Sequence, residues 1–492
     1  MNRLSATILR NSAFSLGAQL LIKSLSFIFS VLVVRNLGVE SYGQYAAVLA
    51  FGATFSIFSD LGLAPYAVRQ IARWREDAEG SQKVRDLYAD LLGLRLGLSV
   101  VTIGVLILSA WVTGRSPILI GAIALNSISL IFYAFQGSNE AILAGMERLD
   151  LTAGSRVINQ VVFVLMGALA LWAGAGYFGL IGANLVAVFL MVAACWRLVR
   201  SLGIRPGSLN PTRWVVLLRA SIPFGIIGLA LGLSYKFDTV LLSIYRGDAE
   251  TGYYNAAYNL VFSMILISNV INTSLYPSLS RQFSGDQTQH FHQVFTRILR
   301  YLLILCLPIA AGGSILAGQI IPFLYTQSYI PAIPVLRLII WVVPLMFISE
   351  FLGYMIAVLG REKQVARAVL ISTGVNVLAN LILVPRFGLM AAAVMTVLTE
   401  VILVIQQAVT LRTSLSDKPM IAKLLPPFGA VIAMAVVVWL VHTYLSLELN
   451  ILIGGFVYGI VLVLLGGVDK EDLGFVVALR RRKTRDPVTE TQ

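Results

Sequence analysis

The chain has 492 residues, 58% of them hydrophobic and 12% charged, with a mean hydropathy of +0.84. Soluble domains carry roughly 25% charged residues, so no soluble fold could cover this much apolar side chain, and long continuous apolar runs exclude a barrel of alternating strands. The net charge of +13 would suggest nucleic acid in a soluble protein; here the basic residues are confined to one set of loops, which excludes that partner.

The first apolar run, residues 13–34, follows a short basic segment, Met1 to Arg10. It is too long for a signal-peptide core and no small-residue cleavage site follows it, so it is predicted to stay in place as a first transmembrane helix. Further runs lie near 42–67, 87–113, 117–138, 157–175, 177–196, 220–244, 253–277, 301–323, 334–359, 366–384, 389–411, 424–445 and 449–467. Fourteen spans of about 20 residues each account for most of the apolar content. With the N-terminus inside, the inner segments and tail hold 29 Lys and Arg, the outer segments four, and the spans four, of 37 in all. That asymmetry obeys the positive-inside rule and places both termini on the cytoplasmic side of the cell (plasma or inner) membrane.

The two halves repeat. Leu9-Arg10-Asn11-Ser12 matches Leu218-Arg219-Ala220-Ser221 at an offset of 209 residues, as do Gly43, Tyr45 and Ala47 with Gly252, Tyr254 and Ala256, and Phe178-Gly179-Leu180 with Phe387-Gly388-Leu389. Glu147-Arg148 and Glu362-Lys363 correspond at 215. An even number of spans per unit makes the repeat parallel, with two lobes facing one cavity, the plan of an alternating-access carrier. The predicted fold is therefore all-α and polytopic. Residues 1–205 form a first six-helix lobe, 206–415 a second, 416–468 helices 13 and 14, and 469–492 a basic cytoplasmic tail.

Several short motifs lie in order and on the expected sides of the membrane. They are Arg35-Asn36-Leu37-Gly38 followed by Tyr42-Gly43, Asp60-Leu61-Gly62-Leu63 with Arg69, and Gly145-Met146-Glu147-Arg148. Thr251-Gly252-Tyr253-Tyr254 with Ala256-Ala257, Tyr276-Pro277-Ser278-Leu279-Ser280, and Pro385-Arg386-Phe387-Gly388-Leu389 follow. Over roughly residues 5–412 the chain resembles the polysaccharide transporters, the lipid-linked oligosaccharide flippases of the multidrug/oligosaccharidyl-lipid/polysaccharide exporter superfamily. The resemblance implies transfer of an undecaprenyl-diphosphate-linked saccharide from the inner to the outer leaflet for cell-surface polysaccharide biosynthesis. Membrane lipids would surround the carrier, and polysaccharide polymerase and glycosyltransferases would act beside it.

A cationic cavity suits a diphosphate. Lys23 lies halfway along the first helix, too deep to reach water easily. It reads either as a diphosphate contact or as an ion-pair partner, for example of Asp60. Lys236, in the matching helix of the second lobe, reads as a second cavity cation. Asp238 is two residues on, roughly 200° around a regular helix, unless Gly225, Gly228 and Gly232 allow a break; it is a partner through a neighbour or a proton or sodium site. Asp60, whose repeat position is Asn269, is a cation site confined to the first lobe or a helix-pairing carboxylate. Glu350 and Glu400 are further carboxylates within spans. Arg95 and Arg337 are cavity cations or side chains that snorkel to a membrane face, and Arg35 and Arg69 either guide the anion at opposite mouths or anchor helix ends. Tyr253, Tyr254 and Tyr258 stack on sugar rings or belong to an interfacial belt.

Two related readings remain: a lipid-linked peptidoglycan-precursor flippase, and a cation-coupled multidrug antiporter, whose acidic cavity the two lysines argue against. An enzyme reading is disfavoured. The outer loops, roughly 4–14 residues long, hold no paired carboxylates, and His290, His292 and His442 form no metal constellation. Nor is there a phosphate-binding loop for ATP. No cofactor or bound metal is therefore expected, and H+ or Na+ coupling stays open. Cys195 and Cys306, both inside apolar runs, read as packing residues.

Overall fold

The computed structural model describes residues 3–74, 80–265, 267–268, 271–272, 288–412 and 420–467. Asn269, the 276–280 motif, the basic tail and the side chains of His290 and His292 lie outside the described residues. Every regular element that is described is helical. The first lobe runs α1 (Arg3–Leu37), α2 (Val39–Ser56), α3 (Leu63–Trp74), α4 (Gly80–Val112), α5 (Pro117–Ser127), α6 (Ser129–Gly145), α7 (Leu149–Trp172) and α8 (Gly176–Ser201). The second runs α9 (Trp214–Tyr245), α10 (Asp248–Ser263), α11 (Thr288–Ile315), α12 (Ala317–Leu324), α13 (Ile333–Ile339), α14 (Val342–Val358) and α15 (Glu362–Leu411), and α16 (Met420–Val441) and α17 (Leu447–Leu464) follow.

Among the described residues, nine helices are long and apolar enough to cross a membrane, and three bent pairs raise this to twelve. The bends follow local chemistry. Between α2 and α3 the chain turns by 43° where Leu61 and Gly62 take positive φ. Inside α9 a 46° bend between Ile226 and Gly228 lies just past Pro223, which removes a backbone donor from the helical ladder.

The 50-residue α15 is two legs. Gly388, with φ 60° and ψ −143°, is not helical, and Asn376 reaches Thr399 at 3.2 Å while Gln406 reaches Ser372 at 3.0 Å. These contacts fold the legs back on each other. The second leg is capped from outside, Leu389 N donating to Glu250 at 3.1 Å. With this hairpin, and with the 16-residue α10, the described helices are compatible with fourteen spans.

The repeat is visible as reciprocal packing. Gly38 and Gly247, 209 residues apart, cap α2 and α10 with nearly the same backbone angles, φ 73°, ψ 171° and φ 87°, ψ −176°. Four residues into each helix, Gly43 and Gly252 cross. A Cβ on Gly43 would lie 1.8 Å from the Asp248 carbonyl oxygen, and one on Gly252 would lie 2.4 Å from that of Val39. Val39 and Asp248 are themselves 209 apart, so each lobe gives the other the same contact. Glycine is required because any side chain would separate the helices.

The main apolar core is continuous between the lobes at the charge-poor end, with Val34, Tyr45, Val48, Leu242, Tyr254 and Tyr329 in one cluster. At the basic end a second core around Leu63, Ile71, Tyr88, Leu91 and Ile142 takes in Leu217 of α9, and Gly62 and Gly225 bring the α2–α3 break close to α9. The lobes therefore meet at both ends, through separate cores.

Candidate functional site

In the first lobe the break between α2 and α3 leaves Asp60 at the start of α3. There its carboxylate accepts the Ala64 backbone N–H at 3.2 Å, a capping contact that satisfies one free helix donor. The same oxygen lies 3.1 Å from an Arg95 nitrogen. Arg95, on α4, is 6% exposed and its guanidinium lies against Gly137 of α6, where a Cβ would come within 2.4 Å of two of its nitrogens. Arg95 therefore does not snorkel. It is enclosed because α6 has no side chain at that point. The expected Asp60–Lys23 alternative is corrected too: Arg95 is the partner of Asp60, and Lys23 makes no ion pair among the described residues. Lys23 is exposed on α1, one helical turn from Gln19.

Behind Gly137 lies a cavity of about 380 Å³ between α1, α3, α6 and α7. Glu140 and Arg156 join across it in a two-bond pair, 3.1 and 2.8 Å.

In the second lobe, Lys236 is half-buried with its ammonium 4.9 Å from the Tyr258 ring centroid, a cation–π contact. Asp238 is 3% exposed and points elsewhere. It accepts from the Tyr254 hydroxyl and from the Thr239 backbone N–H at 2.7 Å. The α9 bend lies some ten residues earlier, so the two side chains sit on regular helix and diverge as the period requires. Tyr254 also contacts Thr396 on the second leg of α15 at 3.1 Å. Nearby, fully buried Asn380 donates to Asn376 at 3.1 Å.

A smaller cavity of about 70 Å³ is lined by Ser234, Tyr235, Asn376, Thr399 and Glu400. Glu400 accepts from Ser349, and Glu350, half-buried, accepts from Ser268 and Asn272. Tyr254 and Tyr258 are both buried, so these two rings are core and network groups rather than platforms for sugar. Tyr253 packs edge-on against Tyr329.

At the charge-poor face, Arg35 donates to the carbonyls of Leu324, at 2.7 Å, and Phe323. Arg115 donates to the Ser243 carbonyl and pairs with Asp248 at 3.0 Å, whose other oxygen accepts from Gln44 at 2.9 Å. Tyr329 reaches the Val34 carbonyl at 3.2 Å and Asn259 the Tyr42 hydroxyl at 2.7 Å. Arg35 is therefore an inter-lobe clasp here. Arg69 and Arg337 are exposed on α3 and α13.

The sequence reading brought Asp60, Asp238 and the lysines forward but missed Arg115 and the Glu140–Arg156 cavity. A signal for the cavity was present in the spacing of Gly137, Ala141 and Ala144, which places three small residues on one helical face.

This geometry has relatives. Residues 8–283 match the model of the family described as polysaccharide biosynthesis protein, and residues 223–382 match the MatE model. A probable low-salt glycan biosynthesis flippase, Agl15, of Haloferax volcanii is 22% identical over 76% of this chain and 77% of its own. A probable flippase, AglR, of the same organism is 23% identical over 95% of this chain and 98% of its own. Among solved structures, the lipid II flippase MurJ in an inward closed conformation superposes with a TM-score of 0.75 at 16% identity, covering 91% of this chain and 97% of that one; that likeness shows the fold. With more than half its length matched by one family model, the chain belongs to the polysaccharide biosynthesis protein family, as its motifs implied.

Proposed function

We propose that the protein is a flippase that moves an undecaprenyl-diphosphate-linked oligosaccharide from the inner to the outer leaflet by alternating access between its lobes. In this reading residues 1–205 and 206–415 are the moving lobes, and both termini are cytoplasmic. The observation that carries it is the placement of two cations deep in the first helix of each lobe, Lys23 exposed on α1 and Lys236 seated over Tyr258. The flippase names of both Haloferax relatives support it. The diphosphate meets these ammonium groups while the prenyl chain stays in hydrocarbon. The clasped charge-poor face is then the closed outer side, and Asp238, which has no ion pair among the described residues, answers to the driving H+ or Na+. Polymerase and glycosyltransferases act on the same lipid before and after.

The test is flipping of a fluorescent lipid-diphosphate oligosaccharide in proteoliposomes. Loss of a charge-assisted contact costs about 1.5–3 kcal/mol, so Lys23→Gln and Lys236→Gln are each expected to lower substrate affinity roughly tenfold or more. Lys→Arg at either site retains more. Unchanged flipping by the double Lys→Gln protein at equal abundance overturns the cationic-cavity mechanism.

A second reading, a cation-coupled multidrug antiporter, has one observation in its favour: the MatE match covers the carboxylates Asp238 and Glu350. Efflux of an organic cation, with no flipping of lipid-linked saccharide, would establish it. The likeness to a lipid II flippase makes a lipid-linked peptidoglycan precursor the second lipid to assay.

A further inference from the structure

The cavity in the first lobe has a use that the two lysines do not explain. Its volume, about 380 Å³, falls within the roughly 300–1,000 Å³ range of pockets that enclose small molecules. The space exists because α6 presents Gly137, Ala141 and Ala144 to it, with Ala64 and Ala153 opposite. Its polar wall is electrically balanced. Both Glu140 oxygens are taken by Arg156, and one also by the Gln136 amide at 3.1 Å. Thr152 lines the cavity at 8% exposure, but its hydroxyl, without a hydrogen-bond partner among the described residues, is itself shielded from the open space. Gln19 adds an amide from α1.

These features select a class of occupant. A diphosphate here would meet the Glu140 carboxylate, and an organic cation would find that carboxylate already paired. A prenyl chain would bury Gln19 and the ion pair against hydrocarbon, at the cost of their unmade hydrogen bonds. A neutral polyhydroxyl group satisfies both, since hydroxyls donate to carboxylate and amide oxygens and accept from guanidinium and amide N–H groups. Position agrees with chemistry. Gln19 and Lys23 are four residues apart on α1, so they share a face about 5–6 Å apart at Cβ.

Resting on the reading above, we propose that this cavity is a saccharide subsite, holding one hexose of the headgroup while Lys23 holds the adjoining diphosphate.

The experiment measures binding of two probes to the purified full chain in nanodiscs: farnesyl diphosphohexose and farnesyl methyl diphosphate, which matches its charge but lacks the sugar. The wild-type protein is expected to prefer the hexosyl probe roughly tenfold, the effect of one or two hydrogen bonds. Ala144→Leu, which fills the cavity, is expected to bring that ratio close to one without changing affinity for the methyl probe. Gln19→Met, similar in size and at an exposed position, is expected to lower the ratio part of the way. A wild-type ratio of one, or a ratio untouched by both variants, overturns the subsite while leaving the diphosphate reading standing. Equal weakening of both probes by Ala144→Leu assigns the cavity to the prenyl chain and overturns it as well. Failure of the wild-type protein to bind either probe overturns the diphosphate reading, and the subsite with it.

Discussion

The two lobes share a repeat and a packing pattern yet treat their buried carboxylates in opposite ways. In the first lobe Asp60 is matched by a guanidinium 3.1 Å away, and the neighbouring cavity is wide and electrically balanced. In the second, Asp238 is more deeply buried and is held by a tyrosine hydroxyl and a backbone N–H, with no ion pair among the described residues. The cavity of that lobe is about 70 Å³ and is lined in part by hydroxyl, amide and carboxylate groups. Duplication kept the glycine crossing that joins the lobes, while the polar interiors diverged. A paired charge fixes a joint; a charge hydrogen-bonded only by neutral groups is left able to take a proton or cation. We infer from this difference that the first lobe is organised for holding and the second for coupling.

The largest expected effect tests the holding side. Breaking a buried pair strands the remaining charge, at about 3–5 kcal/mol; Asp60 keeps 29% side-chain exposure, which puts the value near the lower end. Arg95→Gln and Asp60→Asn should each lower unfolding stability in detergent by about 3 kcal/mol. The double variant should recover part of the loss, because neither charge is then stranded. Asp60→Asn should leave the start of α3 in place, because an Asn oxygen can still accept the Ala64 N–H that the carboxylate accepts. Additive losses in the double variant would show that the two residues do not act as a pair.

A smaller effect on stability and a larger one on transport should come from Asp238. An amide oxygen at this position still accepts from the Thr239 N–H, and its NH2 can donate to the Tyr254 hydroxyl oxygen, whose proton can turn to Thr396. Asp238→Asn should therefore change stability by only about 1 kcal/mol, while removing the charge a driving cation would meet. Transport by this variant should lose its dependence on an ion gradient, read as flipping with and without an imposed H+ or Na+ gradient. Retained dependence, or destabilisation as large as that of Asp60→Asn, would cancel the contrast between the lobes.

How much of this was legible beforehand follows from what each feature depends on. The spans, their grouping and the repeat depend on composition and spacing, both of which sequence carries directly: Gly43 and Gly252 stood out at one offset before their crossing was seen. Partners depend on tertiary approach, which sequence carries only indirectly. Arg95 read as a cavity cation or a snorkelling residue because its depth from a helix end was visible, whereas the gap opposite it at Gly137 was not. Tyr254 and Tyr258 read as sugar-stacking or interfacial aromatics because tyrosines near a span end usually belong to the belt; in the structure both are buried. Divergence of Lys236 and Asp238 was predictable from the helical period alone, and the structure has it.

The smallest expected effect lies at the charge-poor face, where the comparison of lobes turns on which one donates. The Arg35–Leu324 and Arg115–Ser243 contacts are alike in kind, with the arginine at the end of the first helix in one and in the loop after α4 in the other. Both arginines belong to the first lobe, so in each case it donates and the second accepts through backbone carbonyls. Arg115 is the better held, with 11% side-chain exposure and the added Asp248 pair, while Arg35 is exposed. Arg115→Gln should therefore open this face more than Arg35→Gln. Each change should shift the opening equilibrium by about 0.5–1.5 kcal/mol, the net worth of a hydrogen bond of this kind, or roughly two- to tenfold. Cysteines at Asn36 and Gln327 would report it through their cross-linking yield across the face, which should fall in the order wild type, Arg35→Gln, Arg115→Gln, double variant. A yield unaltered in the double variant would mean that the reciprocal glycine crossing alone keeps the lobes together at this end.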